Sequence, residues 1–213
     1  MESDSNHHRS LRAVFGLSTA VFFLAMVLGL IQSLRSSHRL PPLNSHYTPE
    51  INLLIENENY EAVIPHLERA ISIDLDNTEQ NRNLLAEICL RSGQSAVDAS
   101  EFGRAIGHYE KACAANPEST DAQNNLAWIL ATCRDESLRN GRRAIKLARR
   151  ANQIKPNDPA TLDTLAAAYA AAGDFQNAIK AQFEALQLTR PSAQVDMRKR
   201  LALYRSGRAY RAP

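Results

Sequence analysis

Residues 101–117, EFGRAIGHYEKACAANP, return in altered form at 140–156 as NGRRAIKLARRANQIKP and at 174–190 as DFQNAIKAQFEALQLTR. Ala105, Ile106 and Ala112 of the first copy align with Ala144, Ile145 and Ala151 of the second and with Ala178, Ile179 and Ala185 of the third. Pro117 and Pro156 close the first two copies, and Pro191 arrives one residue late after the third. The segments ahead of them, RSGQSAV, NLAWIL and TLAAAYA, put Gly93, Ala127 and Ala166 in register, with Ala96, Leu130 and Tyr169 three residues on. Apolar spacing near 3.6 residues, without strand-like alternation, predicts helices throughout. Two helices joined by a short turn pack closely only where their facing surfaces carry no bulk, so the aligned small residues read as contact points and not as sites.

Ala105, Ala144 and Ala178 lie 39 and then 34 residues apart. On these residues the chain resembles the tetratricopeptide repeat family, in the manner of a membrane-anchored bacterial-type member; its helix-turn-helix unit is about 34 residues long. The third copy matches best, with Leu165, Ala166, Tyr169, Gly173, Asp174, Phe175, Ala178 and Ala185 in family-like places. The resemblance implies an all-α solenoid over 47–190, with three clear units and a degenerate N-terminal unit at 47–77 in which Pro65 falls near the start of the second helix. Residues 191–213 are expected to form a capping helix and basic tail. There Met197, Leu201 and Tyr204 would pack inward while Arg198, Lys199 and Arg200 keep the cap soluble.

The stretch LAWILATCRDESLRNGRRAIKLARR (126–150) then divides into the end of a first helix, a turn and a second helix. The turn, TCRDESLRNG, is five residues longer than the family standard, which accounts for the 39-residue spacing. Loops of that kind on a rigid frame are where local function concentrates.

Ahead of the repeats, residues 1–12 form a short tail and 13–34, AVFGLSTAVFFLAMVLGLIQSL, run for 22 residues without a charge. A helix of that length reaches roughly 33 Å, enough to cross a hydrocarbon core of about 30 Å. It is too long for a cleaved signal peptide and lacks an A-x-A-like site, so a single transmembrane helix is expected. Arg9 and Arg12 balance Arg35 and Arg39 across it. The short leading tail favours an uncleaved signal anchor with the large domain on the extracytoplasmic, periplasmic side. Residues 35–46, interrupted by Pro41 and Pro42, read as a linker.

No glycine-rich phosphate loop, G-x-S-x-G, H-E-x-x-H or paired metal-ligand spacing occurs, so no catalytic residue, cofactor or metal is expected and the chain is read as a non-enzyme. Cys89, Cys113 and Cys133 form no C-x-x-C and read as small hydrophobes in helices or at their ends. A catalytic Cys133 would lack a nearby histidine base.

The resemblance implies that partners lie along the surface formed by the first helix of each unit. Carried over by position, that groove holds Asp121, Asn124, Asn125, Trp128 and Thr132 from one unit and Asp163, Thr164, Ala167 and Ala171 from the next. It has no basic residue for capturing a chaperone's C-terminal carboxylate, so an extended protein partner anchored on Trp128 is expected. A second face, Arg139, Arg142, Arg143, Lys146, Arg149 and Arg150, is cationic opposite the apolar positions Ala144, Ile145, Leu147, Ala148 and Ala151. Without interleaved aromatics it points away from nucleic acid. Three readings stay open for it: a solvated helix face, an accessory surface for anionic lipid headgroups, or a nucleic-acid surface. Residues 41–133 carry 5 Lys and Arg against 14 Asp and Glu, and 134–213 carry 16 against 7. That polarity fits either end-to-end self-association or an elongated partner. Function is expected to be protein association, in the assembly of an envelope or membrane-associated complex.

Overall fold

The structure is a computed structural model that describes residues 49–73 and 78–212. Its elements are α1 (Pro49–Glu56), α2 (Tyr60–Ile73), α3 (Thr78–Asp98), α4 (Phe102–Ala115), α5 (Thr120–Thr132), a 3-10 turn at Glu136–Leu138, α6 (Gly141–Ile154), α7 (Pro159–Ala171), α8 (Phe175–Leu188), a 3-10 turn at Pro191–Ala193 and α9 (Val195–Arg205). No strand occurs among the described residues. The helices pair as α1 with α2, α3 with α4, α5 with α6 and α7 with α8, and α9 covers α8. Neighbouring pairs meet mainly through α2 against α3, α6 against α7, α5 against α7, and α4 against α5. This is an all-helical repeat architecture, in which the first helices α5 and α7 lie side by side.

Four of the helices, α5 to α8, begin where the chain supplies a side-chain acceptor for their orphan amides. Ser119 accepts from Ala122, Asn140 from Arg143, Asp158 from Ala160 and Thr161, and Asp174 from Asn177. Pro65 sits inside α2 at its sixth residue, so its missing N–H frees only the carbonyl of Glu61 in the first turn.

The core is built from small residues where backbones approach. Ala105, Ala112, Ala127, Ala144, Ala148, Ala151, Ala166, Ala178 and Ala185 are all fully buried. Gly93 is the tightest of these contacts, because a Cβ there would lie 2.4 Å from the Tyr109 ring. Gly141, at the start of α6, would meet the backbone of Ala171 and Ala172 at 2.8–3.1 Å. Larger side chains fill the spaces between the units, with Tyr109, Leu126, Ile88 and Leu67 at or near zero exposure.

Three of the first helices end alike. After α1, α3 and α7 one residue adopts a left-handed conformation: Glu58 at φ 57°, Ser100 at φ 61° and Gly173 at φ 83°. The following amide then reaches back five residues, Asn59 to Leu54, Glu101 to Ala96 and Asp174 to Tyr169, at 2.8–2.9 Å. Glycine takes that conformation without cost at 173.

The second helices are tied across units by ion pairs whose basic members recur at equivalent positions. Arg104 pairs with Glu61 and Lys111 with Glu68, joining α4 to α2. Arg143 pairs with Glu110 at 2.5 Å, and Arg150 with Glu118, joining α6 to α4 and the turn after it. Arg104 and Arg143, like Lys111 and Arg150, occupy equivalent positions of the repeat.

The expected membrane helix at 13–34, the tail at 1–12 and the linker at 35–46 lie outside the described residues, as do residues 74–77. Among the described residues, no helix is long and apolar enough to cross a membrane.

Because the Gly141 contact is with backbone, which cannot rotate away as a side chain can, Gly141→Ala should destabilise the fold by about 1–3 kcal/mol. Chemical denaturation followed by circular dichroism measures it, with Gly103→Ala, which meets nothing within 4 Å, as the harmless control.

Candidate functional site

Helix α5 ends differently from the other first helices. Cys133 leaves the helix in an extended conformation, φ −51° and ψ 138°, and no left-handed residue follows. The last carbonyls of α5 therefore need other donors. Ile129 O accepts from Cys133 N at 3.0 Å and Leu130 O from Asn140 N at 2.8 Å, across the enlarged turn. Ala131 O accepts from the Arg211 guanidinium at 3.3 Å, and Thr132 O from the amide of Ala212 at 2.9 Å. Just beyond, the Arg139 guanidinium donates to the carbonyls of Cys133 and Arg134, at 3.1 and 2.9 Å. Two guanidinium groups thus gather at the negative end of the α5 dipole.

The donors at 211 and 212 come from the far end of the chain. α9 closes with Gly207 at φ 69°, whose amide bonds Tyr204 O while that of Arg208 bonds Leu203 O, both at 3.0 Å. This turn sends 208–212 back across α5. Tyr210 lies against Trp128 with ring centroids 5.9 Å apart and planes tilted by 44°. Ala212 completes a two-way contact, since its carbonyl accepts from Arg134 Nε at 3.0 Å.

Arg200 holds this arrangement from beneath. Its guanidinium lies 5.4 Å from the centroids of both the Trp128 and Tyr210 rings. It also makes a two-pronged ion pair with Asp163 on α7, Nε to Oδ1 at 2.9 Å and Nη2 to Oδ2 at 2.7 Å. Asp163 Oδ1 accepts a third bond from Gln182 of α8 at 2.7 Å. The Arg200 and Asp163 side chains are 12% and 10% exposed, so one buried carboxylate fastens α8 and α9 to α7. Arg200 is therefore not part of a solubilising surface, as its place between Lys199 and Leu201 suggested; it points inward as the cation of the cluster. Tyr204 is buried beside it with no bond to its hydroxyl, and burial pushes its phenol well above the usual range.

The residues expected to line the groove lie on this same face in different states. Asp121 is exposed at the start of α5, and Trp128 is half-buried beneath Tyr210 and Arg200. Asn124 is half-buried with its amide oxygen buried and unbonded, while Asn125 bonds the hydroxyl of Tyr109, whose phenol burial pushes up to about 12. Thr132, Asp163, Thr164 and Ala167 are buried, and Ala171 is half-buried. The α7 half of the face is thus closed over, by α5 on one side and by α9 with the returning segment on another. Sequence reasoning missed the participation of Arg200, Tyr210, Arg211 and Ala212.

The cationic face of α6 is largely committed within the molecule. Arg139 caps the turn, Arg143 and Arg150 pair with Glu110 and Glu118, and both Arg149 Nε and Nη2 bond the Tyr169 hydroxyl, at 3.1 and 3.0 Å. Arg142 and Lys146 are exposed. A cleft of about 330 Å³ near α2, α3 and α4 carries Glu61 and Glu101, but Arg104 takes both carboxylates. No group of metal-ligating side chains occurs among the described residues.

No family model matches the chain, and no curated protein does. Among solved structures it is similar to a mutant form of the O-GlcNAc transferase of Thermobaculum terrenum, at 18% identity and a TM-score of 0.51, over 58% of this chain and 22% of that one. The chain thus spans about a fifth of that protein's length, and the likeness supports a tetratricopeptide-like helical repeat fold.

Removing Asp163 strands a desolvated guanidinium, so Asp163→Ala should cost about 3–5 kcal/mol in urea denaturation, well beyond the effect of an exposed pair such as Lys199 with Asp196. The thiols should be slow. Burial pushes Cys89 and Cys113 up to about 11, leaving on the order of one thiolate in ten thousand at neutral pH. Native protein should label with a maleimide far more slowly than urea-unfolded protein, and fast native labelling would contradict this burial.

Proposed function

We propose that the chain is a non-enzymatic scaffold for protein association, tethered to a membrane through residues 13–34 and serving the assembly of an envelope or membrane-associated complex. The observation that carries this reading is the seat on α5, where main-chain carbonyls, Arg134 and the Trp128 ring already hold a peptide segment without regular secondary structure, the chain's own. A surface built this way suits an extended partner, because main-chain bonds supply affinity and the aromatic anchor supplies selectivity. The helical-repeat fold supports protein partners in general. The tether rests on the uncharged run at 13–34, and the short leading tail favours display on the periplasmic side.

The alternative, an accessory surface for nucleic acid or anionic lipid on the basic half, has less behind it. Four of the six cations expected on that face are bonded to neighbouring carbonyls, carboxylates or a tyrosine. Two of the rungs, Arg143 with Glu110 and Arg150 with Glu118, also join a cation of the basic half to an acid of the acidic half inside the chain.

The scaffold reading is tested by in-cell crosslinking of the full chain followed by identification of the captured proteins. Trp128→Ala combined with Asn124→Ala should lower capture on the order of tenfold or more while the helical circular dichroism spectrum is kept. Undiminished capture by that variant would remove the groove from the proposal. Binding that collapses with added salt and is lost on neutralising Arg142, Arg143 and Arg149 would favour the alternative.

A further inference from the structure

Resting on the groove reading above, we infer that the segment 208–212 is a displaceable intramolecular ligand, and that the partner displacing it presents an extended strand with an aromatic residue followed by arginine. The inference is drawn from how the segment is held. Its bonds to α5 are made by main-chain groups and one guanidinium: Ala212 N–H to Thr132 O, Ala212 C=O from Arg134, and Arg211 to Ala131 O. Any extended strand in the same register can make the first two. The selective contacts are two, the Tyr210 ring against Trp128 and Arg200, and the Arg211 guanidinium at the negative end of α5.

The segment fits the seat but does not saturate it. Burial, and after it the like charge of Arg139, pull the Arg211 guanidinium below its usual range, and Glu136 only partly offsets this. Arg208 and Arg211 remain exposed, and Ala209, Tyr210 and Ala212 are half-buried. Beneath them, the hydroxyl of Tyr204 and the amide oxygen of Gln182 are buried without a bond. A residue serving only to seal the helix end would not need the aromatic contact, whereas Tyr210 makes one with both Trp128 and Arg200.

Tethering sets the scale of the competition. A segment joined to its seat by a short turn acts at an effective concentration on the order of millimolar, so a free peptide of equal intrinsic affinity with a Kd of about 0.1 mM or tighter binds the intact chain at least tenfold more weakly than a chain whose own segment cannot compete.

The probe is a fluorescein-labelled peptide with the sequence of 206–212, SGRAYRA, read by anisotropy against the full chain. Expected is binding at least tenfold tighter to the Tyr210→Ala/Arg211→Ala chain than to wild type, lost again when Trp128→Ala is added and absent for a peptide carrying Tyr210→Ala. Equal affinity for wild type and variant, or no binding to the variant, overturns the inference and leaves the segment as a fixed helix seal. Should the variant fail to fold, the wild-type chain decides: millimolar unlabelled peptide must speed hydrogen exchange at the Ala212 amide, and unchanged exchange overturns the inference. The two proposals fail separately. If the peptide results are negative while Trp128→Ala with Asn124→Ala still abolishes crosslinked capture, the groove stands and only the self-ligand falls; if the peptide displaces the segment while capture is unaffected, the reverse holds.

Discussion

Every first helix of a stacked pair must dispose of its last carbonyls, and the way each does so organises this molecule. Where a left-handed residue follows the helix, at Glu58, Ser100 and Gly173, the chain seals itself and turns directly into the second helix. α5 has no such residue. Its turn is longer, a 3-10 stretch pinned by Asp135, whose carboxylate accepts from the Ser137 hydroxyl and amide at 2.7 and 2.9 Å. The two carbonyls this turn leaves open are filled from about eighty residues away. The seat for an extended strand is thus the by-product of a helix end that the local sequence does not close.

Charge plays a different part from the one its distribution first suggests. The acidic first half and basic second half look like a signal addressed to a partner, yet Glu110 and Glu118 of the first meet Arg143 and Arg150 of the second within the chain, while Glu61 and Glu68 pair with Arg104 and Lys111 inside the first half. Each exposed rung contributes modestly, about 0–1 kcal/mol. Their basic members recur at equivalent positions of the repeat, while the acids they reach differ from unit to unit. The buried pair of Asp163 and Arg200 is of another kind, since both side chains are nearly dehydrated, Asp163 accepts a further bond from Gln182, and the guanidinium lies against two aromatic rings.

Much of the frame was legible because it rests on short-range pattern. The recurring alanines, the closing prolines and Gly173 predict helix pairs, their contact faces and one turn, and the buried alanines occupy those faces. The site was legible only in its α5 half. Trp128 stood out as a lone tryptophan, and the enlarged turn as an excess of five residues. Its other half could not be read, because RAYRAP carries no periodicity and resembles any basic tail. Arg200 sits between Lys199 and Leu201 in a strongly charged run, where nothing local separates an inward arginine from an outward one. Pairing with Asp163 is a consequence of α9 docking on α8, a long-range event.

Asn140 occupies an unusual junction. Its amide bonds Leu130 O at the end of α5, and its side chain caps α6 by accepting from Arg143 N at 3.0 Å, the same arginine that forms the rung to Glu110. The end of one helix, the beginning of the next and the stacking on the preceding unit therefore share one residue. Such a junction makes the seat and the solenoid's stacking thermodynamically reciprocal: whatever free energy an occupant draws from ordering this turn, tighter stacking of α6 on α4 returns to the occupant in equal measure. Tension along the stacked helices would then be felt at this seat as a change in affinity for whatever occupies it.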